Sequence, residues 1–546
     1  MIDRSALLPE VLVARAEREP DAAAYDTLDA DGHLTTLSHA QLASRASALA
    51  GELTGCDDGP VLVLYPAGVD YVVAVFAAFL AGRPVVPGYP PEPGPGPDRA
   101  RLARIIADAR PSAVVAPRPH PDLPISTVFE VPGQDADSTP WHQPPTWADV
   151  AIILYTSGTT GRPRGVLVRH DSVAANTAAI AERCQLDRAS RGLTWLPPYY
   201  DTGLVGGLLT PLQAGIPVRI MPPGVFRTEP LSWLRQITES GATVSGAPNF
   251  AYELCVRRAG QDAALAGLDL SNWRVALNGG EPVRDPTMAA FAKRFAPVGF
   301  DPHAFLPCYG LAEATLIVSA GHWSGPSSTG AVVSCGPPVR GQRVVIVDPH
   351  RRRLCDDGHE GEIWLAGPHV TPGYVSGKGA EQFGELDAES FLRTGDRGYL
   401  RAGELFVTGR SKDVIVVRGV RHHAGDVEAA AVDAVGEVAG AAAVFLVGDG
   451  PASITVLVLE IRGVIDDRVA ATVRAAVLAR ARLPLGLVAL VPPGSVPHTA
   501  SGKVQRSRCR DALLNGAYDT ALVDDRATLI GLRVPLRVIR PAHHQT

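Results

Sequence analysis

The chain has 546 residues, 46% hydrophobic and 20% charged, with a net charge of −6. That length exceeds one hydrophobic core and, at roughly 150 residues per unit, implies three or four substructures of an ordinary globular protein. The acidic balance argues against nucleic acid as the main partner, and no uninterrupted apolar run of about 18 residues offers a membrane span.

The N-terminal stretch to Asp21 carries charges throughout, unlike a secretory signal, and reads as a surface helix of a cytoplasmic protein. Seven widely spaced cysteines without a Cys-x-x-Cys pair fit reduced, mostly buried thiols better than a disulfide frame or a zinc site. Helical spacing over Leu37–Leu53, a short strand at Val61–Tyr65 and an apolar helix at Tyr71–Ala81 alternate as in crossover units on a parallel sheet. The Pro/Gly stretch Pro87–Asp98 reads as a loop. Arg99–Ala109 resumes as helix and Ser112–Ala116 as strand. A proline-rich connector, Pro117–Trp147, carries one strand at Ile125–Val131.

The apolar run Ala151–Tyr155 reads as a buried strand ending in Thr156, Ser157, Gly158, Thr159, Thr160 and Gly161. Glycines there let successive N–H groups converge on an anion, hydroxyls add donors, and Arg162 and Arg164 can neutralise charge. A plain loop after a strand has the same composition. The Gly-Lys-Ser/Thr ending of a P-loop NTPase is missing. Further on, helices are expected at His170–Arg183, Leu231–Ser240, Phe250–Ala259 and Pro286–Phe295. Strands are expected at Leu193–Leu196, Ile216–Met221, Thr243–Ser245 and Arg274–Asn278.

Two prolines before Tyr199, Tyr200, Asp201 and Gly203 make a rigid turn that brings rings and a carboxylate to a helix start; an aromatic core turn would look the same. Gly279, Gly280 and Glu281 end a strand where a flat ring could approach the backbone. Tyr309 and Glu313 follow in PCYGLAEATL. Beyond Ser319, Arg343–Val347 and Glu362–Ala366 alternate as strands of a small antiparallel barrel or sheet. Asp396 falls in a tight Gly-flanked turn within Phe391–Leu400, and Gly409 to Lys412 form a charged pivot between strands at Glu404–Val407 and Asp413–Arg418. The remainder reads as a small α+β domain with helices near Ala424–Val435 and Asp467–Ala481. Its strands fall at Ala443–Val447, Ile454–Ile461 and Val488–Val491, and the loop Pro497–Gln505 carries Lys503. An exposed, solvated lysine is the plain alternative for Lys503.

In order, YTSGTTGRPRG, PPYYDTG, NGGEP, YGLAEATL, RTGD, GRSKD and PHTASGK resemble the adenylate-forming superfamily of acyl-CoA synthetases, adenylation domains and luciferases, over essentially the whole chain. WLPPYYDTGLVGGLLTPLQAG, ATVSGAPNFAYELCVRR, LDLSNWRVALNGGEPVR and CYGLAEATL look most like fatty acyl-AMP ligases. The resemblance implies an α/β fold. A large adenylation domain of mixed βα sheets plus a small β-barrel covers 1–409, and a smaller, mobile α+β domain covers 410–546, hinged near Lys412. It also implies ATP-dependent activation of a fatty acid to acyl-AMP, then transfer to the phosphopantetheine thiol of an acyl carrier protein.

In the resembled enzymes Thr156 to Gly161 correspond to the loop that holds the β- and γ-phosphates, assisted by Arg164. Glu313 matches the Mg2+ ligand, with Thr315 nearby. Adenine would lie between the Gly279, Gly280 and Glu281 backbone and Tyr309, beside Gly310. Asp396 would hold the ribose, Arg410 the ribose and phosphate, and Lys503 would bridge carboxylate and α-phosphate. Tyr200, Asp201, Gly203 and Asn249 fall at the acyl pocket, near Trp195 and Trp233.

Arg164 stands where the family usually has Lys, and Tyr200 where close relatives usually have His. The stretch His322–Arg343 is short beside the insertion that fatty acyl-AMP ligases carry to restrain rotation and disfavour CoA. An acyl-CoA ligase, or a ligase for a small or aromatic acid, is therefore the alternative. A dead nucleotide-binding module is disfavoured by the presence of Glu313, Asp396, Arg410 and Lys503. The protein is expected to act as a monomer or dimer. The chain ends about forty residues after Lys503, so no fused carrier domain is expected. Adjacent His422 and His423 cannot both face one metal from a strand and read as structural or interface residues.

Overall fold

The computed structural model describes residues 6–28, 32–91, 97–117, 125, 127–133, 149–156, 163–260, 262–326, 332–349, 351–377, 379–410, 414–417, 420–448, 453–463, 467–498 and 504–518. Two compact units emerge, Met1–Thr394 with Gly398–Val407, and Gly395–Arg397 with Thr408–Thr546. No helix among the described residues is long and apolar enough to cross a membrane.

The first unit begins with α1 (Leu8–Arg18), β1 (Ala23–Leu28), β2 (Leu34–Ser38), α2 (His39–Leu53), β3 (Val61–Val63), α3 (Val69–Leu80) and β4 (Val85–Pro87). It continues through α4 (Pro97–Ala109), β5 (Ala113–Val115), β6 (Val128–Phe129), β7 (Val150–Thr156), β8 (Arg164–Arg169), α5 (His170–Arg183) and β9 (Gly192–Thr194). A π-helix, Thr202–Leu209, leads into α6 (Thr210–Ala214), β10 (Val218–Ile220), α7 (Pro223–Thr228), α8 (Leu231–Ser240) and β11 (Val244–Ala247). Then come α9 (Asn249–Arg258), β12 (Val275–Asn278), α10 (Asp285–Phe295), β13 (Phe305–Gly310) and β14 (Ile317–Ala320).

These strands build two sheets, ordered β6-β5-β3-β4-β7-β8 and β14-β13-β12-β11-β9-β10-β1-β2. Most neighbours are parallel, because helical crossovers return the chain to the same end of the sheet. Only β7/β8, β1/β2 and β13/β14 pair antiparallel in these two sheets. The short apolar strands are buried on both faces, and α3 is apolar and buried at every position except Asp70. α2 starts in a capping box: Ser38 Oγ accepts from Gln41 N (3.2 Å) and Gln41 Oε1 from Ser38 N (2.9 Å). Trp233, Tyr252, Trp273, Phe291, Phe295 and Phe305 form a fully buried aromatic cluster, each ring contributing about 2–3 kcal/mol by leaving water.

β15 (Arg343–Asp348), β16 (Arg353–Leu354), β17 (Gly361–Ala366), β18 (Phe383–Leu386), β19 (Glu389–Arg401) and β20 (Glu404–Arg410) form a third sheet, ordered β16-β15-β17-β19-β18 with β20 on β19. In the second unit β21 (Val414–Val417) and β22 (Val420–His423) pair antiparallel, followed by α11 (Ala424–Val435), β23 (Ala439–Val447), β24 (Ile454–Ile461), α12 (Asp467–Ala481), β25 (Leu487–Val491) and α13 (Arg506–Leu514). β24 lies between antiparallel β23 and parallel β25, with apolar clusters on both faces. Glu428 is buried and takes two hydrogen bonds from Arg506, both 2.7 Å, tying α13 to α11.

The structure refines two expectations and corrects a third, the turn at Asp396. The N-terminal helix exposes Glu10, Glu17 and Arg18 as a surface helix should, but Arg15 turns inward with Leu8, Val11 and Leu12 and donates to Leu212 O (2.7 Å) and Gln213 O (3.0 Å) at the end of α6. Its guanidinium thus satisfies carbonyls that a helix C-terminus leaves unpaired. Asp396 lies inside continuous strand β19, not in a turn. Gly398 is there because a Cβ would stand 2.4 Å from Phe406 O on the neighbouring strand; only Gly395, at φ +72°, marks a local irregularity. β20 runs on past the expected Val407 to include Gly409 and Arg410, while Ser411, Lys412 and Asp413 lie outside the described residues. β1, β2 and α13 had no counterpart in the sequence reading.

Candidate active site

β13 and β14 are joined by a turn that carries Glu313, built around residues with no freedom to change. A Cβ on Gly310 would stand 1.8 Å from Leu316 O, so the strand can leave the sheet only with glycine there. Thr315 has φ +69°, a costly conformation for a β-branched residue, and its Oγ1 donates to His369 O (2.8 Å). From α5, buried Asn176 donates to Ile317 O (2.9 Å) and accepts from Ile317 N (3.1 Å). Asn176 Nδ2 also meets His369 Nδ1 (2.6 Å), while His369 Nε2 reaches Arg340 O (3.0 Å). Those contacts suit a neutral ring that accepts at Nδ1 and donates at Nε2, and burial pushes its pKa down to about 4. The backbone closes the arrangement with Thr371 N donating to Glu313 O (2.8 Å).

Glu313 Oε1 accepts from the hydroxyl of Tyr374 (3.2 Å). Tyr374 is buried, and desolvation together with the Glu313 charge keeps its phenol protonated by raising its pKa. Its ring lies under the Arg164 guanidinium, 5.1 Å from charge to centroid. Arg164 opens β8 directly opposite Thr156, the end of β7. Ser157, Gly158, Thr159, Thr160 and Gly161, between them, lie outside the described residues.

Just after the neighbouring strand β12, the two glycines do different jobs. A Cβ on Gly279 would meet Cys308 Sγ at 2.5 Å, so that glycine serves strand packing. Gly280 has φ +79° and open space where a Cβ would be, which leaves its backbone face approachable. Glu281 Oε1 accepts from Phe250 N (2.6 Å), a donor left over at the start of α9. Asn249 is buried: its Oδ1 accepts from Arg284 N (3.0 Å) and its Nδ2 donates to Thr287 Oγ1 (3.2 Å), stitching this loop to α10. Tyr309 is buried on β13 beside β12.

At the proline turn, Asp201 caps the π-helix, its Oδ1 accepting from Thr202 N (2.8 Å). A Cβ on Gly203 would stand 2.1 Å from Pro197 O, which is how the turn and helix fit together. Tyr200 lies against Tyr199 (4.9 Å between centroids), and Tyr199 against Tyr89 (4.6 Å). Trp195 stacks on Phe226 at 3.8 Å, next to Trp233.

In the second unit the buried Asp396 carboxylate accepts from Arg410 Nε (3.0 Å). His422 Nδ1 meets Ala481 O (3.0 Å). His498 and Val504 pair as an isolated bridge, whereas Lys503 between them lies outside the described residues, as does Lys412. Among the described residues no three His, Cys, Asp or Glu side chains gather as a metal cage. A lone carboxylate such as Glu313 is the sparse donor set that Mg2+ accepts, since that ion keeps waters and takes phosphate oxygens from its substrate.

Residues 12–375 match the family model described as AMP-binding enzyme. The chain belongs to that family. Among similar proteins, the medium-chain fatty acid acyl-carrier-protein ligase JamA of Moorena producens is 35% identical over 94% of this chain and 96% of its own. The long-chain fatty acid AMP ligase FadD26 of Mycobacterium tuberculosis is 34% identical over 93% of this chain and 97% of its own. A fatty acyl-adenylate ligase of Legionella pneumophila, solved with acyl adenylate and pyrophosphate, superposes with a TM-score of 0.70 at 32% identity, covering 93% of this chain and 96% of that one.

In this AMP-binding enzyme, Asn176, His369, Tyr374 and Gln382 support the Glu313 turn and Arg164, yet none of them stood out in the sequence. Asn176 sits in an ordinary helix, and His369 and Tyr374 lie in a loop between strands. The available signal was indirect: Gly373 and Gly379 flank Tyr374, and a Cβ on Gly379 would stand 2.6 Å from its ring.

Proposed function

We propose that this chain activates a fatty acid with ATP to acyl-AMP, releases pyrophosphate, and passes the acyl group to the phosphopantetheine thiol of an acyl carrier protein. The observation that carries this reading is the near full-length similarity to ligases named for medium- and long-chain fatty acids. The chemistry is a displacement between anions. A carboxylate oxygen bonds to the α-phosphorus as the bond from that phosphorus to the bridging oxygen breaks, and pyrophosphate leaves with the electron pair.

Charge must be neutralised for this approach, and that sets the roles. Thr156 to Gly161 cradle the β- and γ-phosphates, with Arg164 as a fixed charge. Mg2+, held by Glu313 when bound, supplies further positive charge to the phosphate oxygens. The adenine ring packs between the Gly280 backbone face and Tyr309, within the frame of Gly279, Glu281 and Gly310. Asp396 and Arg410 hold the ribose, and Lys503 bridges the incoming carboxylate and the α-phosphate. Tyr200, Asp201 and Gly203 shape the acyl end, while Asn249 acts through the loop it ties. Lys412 is the hinge at which residues 410–546 turn so that the thiol replaces Lys503 at the mixed anhydride, where sulfur bonds to the acyl carbon as the bond to the phosphate oxygen breaks and AMP leaves with the electron pair. Seven cysteines kept as thiols rather than disulfides favour a cytoplasmic setting.

CoA is the second acceptor to weigh, because only residues 321–342 connect β14 to β15, where fatty acyl-AMP ligases typically carry an insertion that disfavours CoA. The deciding measurement is mass spectrometry of ATP-dependent products from a graded series of carboxylic acids, with CoA or a phosphopantetheinylated carrier protein as acceptor. Medium- or long-chain acyl-AMP transferred to the carrier alone is the expected result. Acyl-CoA would move the protein to the second acceptor, and no adenylate with any acid would sink the reading.

A further inference from the structure

Arg164 and Glu313 come from distant parts of the chain, and the side chains of Tyr374 and Gln382 join them. With its amide oriented to satisfy its neighbours, Gln382 accepts from Arg164 Nη1 (2.9 Å) and Nη2 (2.7 Å) and donates to Tyr374 Oη. Tyr374 Oη then donates to Glu313 Oε1 (3.2 Å). The directions are forced. A guanidinium only donates and a carboxylate only accepts, so the single phenol proton goes to Glu313 and the phenol oxygen takes a proton from the amide.

Tyr374 is fixed from several sides. It is 5% exposed, and its backbone bridges to Val166 on β8. Leu167 N donates to Gly373 O (3.0 Å) and Val375 N to Gly165 O (2.9 Å), so the segment lies along the strand that begins with Arg164. Gly379 gives the ring room, as its missing side chain would overlap it.

We propose that Tyr374 and Gln382 are positioning residues: through one hydrogen-bonded chain they hold the Glu313 carboxylate in register with Arg164, so that a divalent cation and the ATP phosphates meet a preset geometry. A carboxylate held through one oxygen loses rotamers before the cation arrives, and such outer partners typically change metal affinity 10–100-fold when removed. This rests on the assignment of Glu313 to the metal and Arg164 to the phosphates.

The test uses the full-length chain with Mn2+ and a non-hydrolysable ATP analogue, reading free Mn2+ by electron paramagnetic resonance alongside thermal melting. Tyr374→Phe keeps the ring under Arg164 and removes the donor; it should weaken Mn2+ binding about tenfold while melting falls by no more than about 3 °C. Gln382→Met should act in the same direction, and the double variant should be no worse than Tyr374→Phe alone, as for members of one network. Unchanged Mn2+ affinity in Tyr374→Phe beside a loss in Glu313→Gln would overturn the coupling and leave the Glu313 assignment standing. Additive losses in the double variant would also overturn the shared chain. No change in Glu313→Gln would remove the metal assignment and the proposal with it.

Discussion

Adjacent strands β12 and β13 each end in a loop that carries a glutamate, and the two carboxylates have opposite employments. Glu281 accepts from Phe250 N in the first turn of α9, a structural use that helps complete a helix start. Glu313 is presented on a turn locked by Gly310, Thr315, His369 and Asn176, with a phenol on one oxygen. The lesson is about rigidity: one loop uses its carboxylate to hold the backbone of a neighbouring helix start, whereas the other has its own backbone held by neutral groups.

The contrast breaks first at the glycines. Gly310→Ala, forced against Leu316 O, should cost more than about 4 kcal/mol or prevent folding, whereas Gly280→Ala, strained at φ +79° but unobstructed, should cost about 1 kcal/mol by denaturant melts. Comparable costs would mean that the β13 turn relaxes easily. Next, Glu313→Gln should lower ATP–pyrophosphate exchange by about 10²-fold or more with melting nearly unchanged; retained exchange would show that the carboxylate serves only the fold. Glu281→Ala should do the reverse, losing about 2 kcal/mol of stability with a smaller effect on turnover per folded molecule.

Acid offers the finest discrimination. His369 binds a proton at pH 6.5 when unfolded but only at about pH 4 in the native turn, so the unfolded chain takes up the extra proton between those values. Its stabilising contribution is complete above pH 6.5 and declines as pH falls toward 4, by about 1.4 kcal/mol per pH unit. Buried His170 on α5, also lowered to about 4, adds an equal slope. His369→Gln should therefore reduce the acid sensitivity of unfolding between pH 6 and 5 while leaving the share of His170 in place, and an unchanged slope would mean that His369 titrates normally.

Much of this was legible in the sequence where one signal dominated. Short apolar runs marked β3, β7 and β24, and the spacing over α8 gave its bounds, Leu231–Ser240, without error. Polar strands were not: β1 and β2 read AAYDTL and LTTLS, and only pairing across the sheet makes them strands. Gly395 and Gly398 looked like turn residues around Asp396 because a glycine needed for a close carbonyl is written the same way as one needed for a bend. Arg15 on α1 looked superficial because its acceptors lie almost two hundred residues away. Local motifs brought Glu313, Tyr309 and Arg164 into view, whereas Tyr374, Gln382 and His369 act through contacts that no local spacing records.

The π-helix at Thr202–Leu209 has a further consequence. A wide turn holds an extra residue without unwinding, so this is a place where the chain can gain or lose one residue while α6 and β10 keep their positions. Because Tyr200 and Asp201 stand at its entrance, a single insertion or deletion here would swing the entrance side chains around the helix axis and leave the scaffold intact. A change of length rather than of residue type would thus re-aim Tyr200 and Asp201.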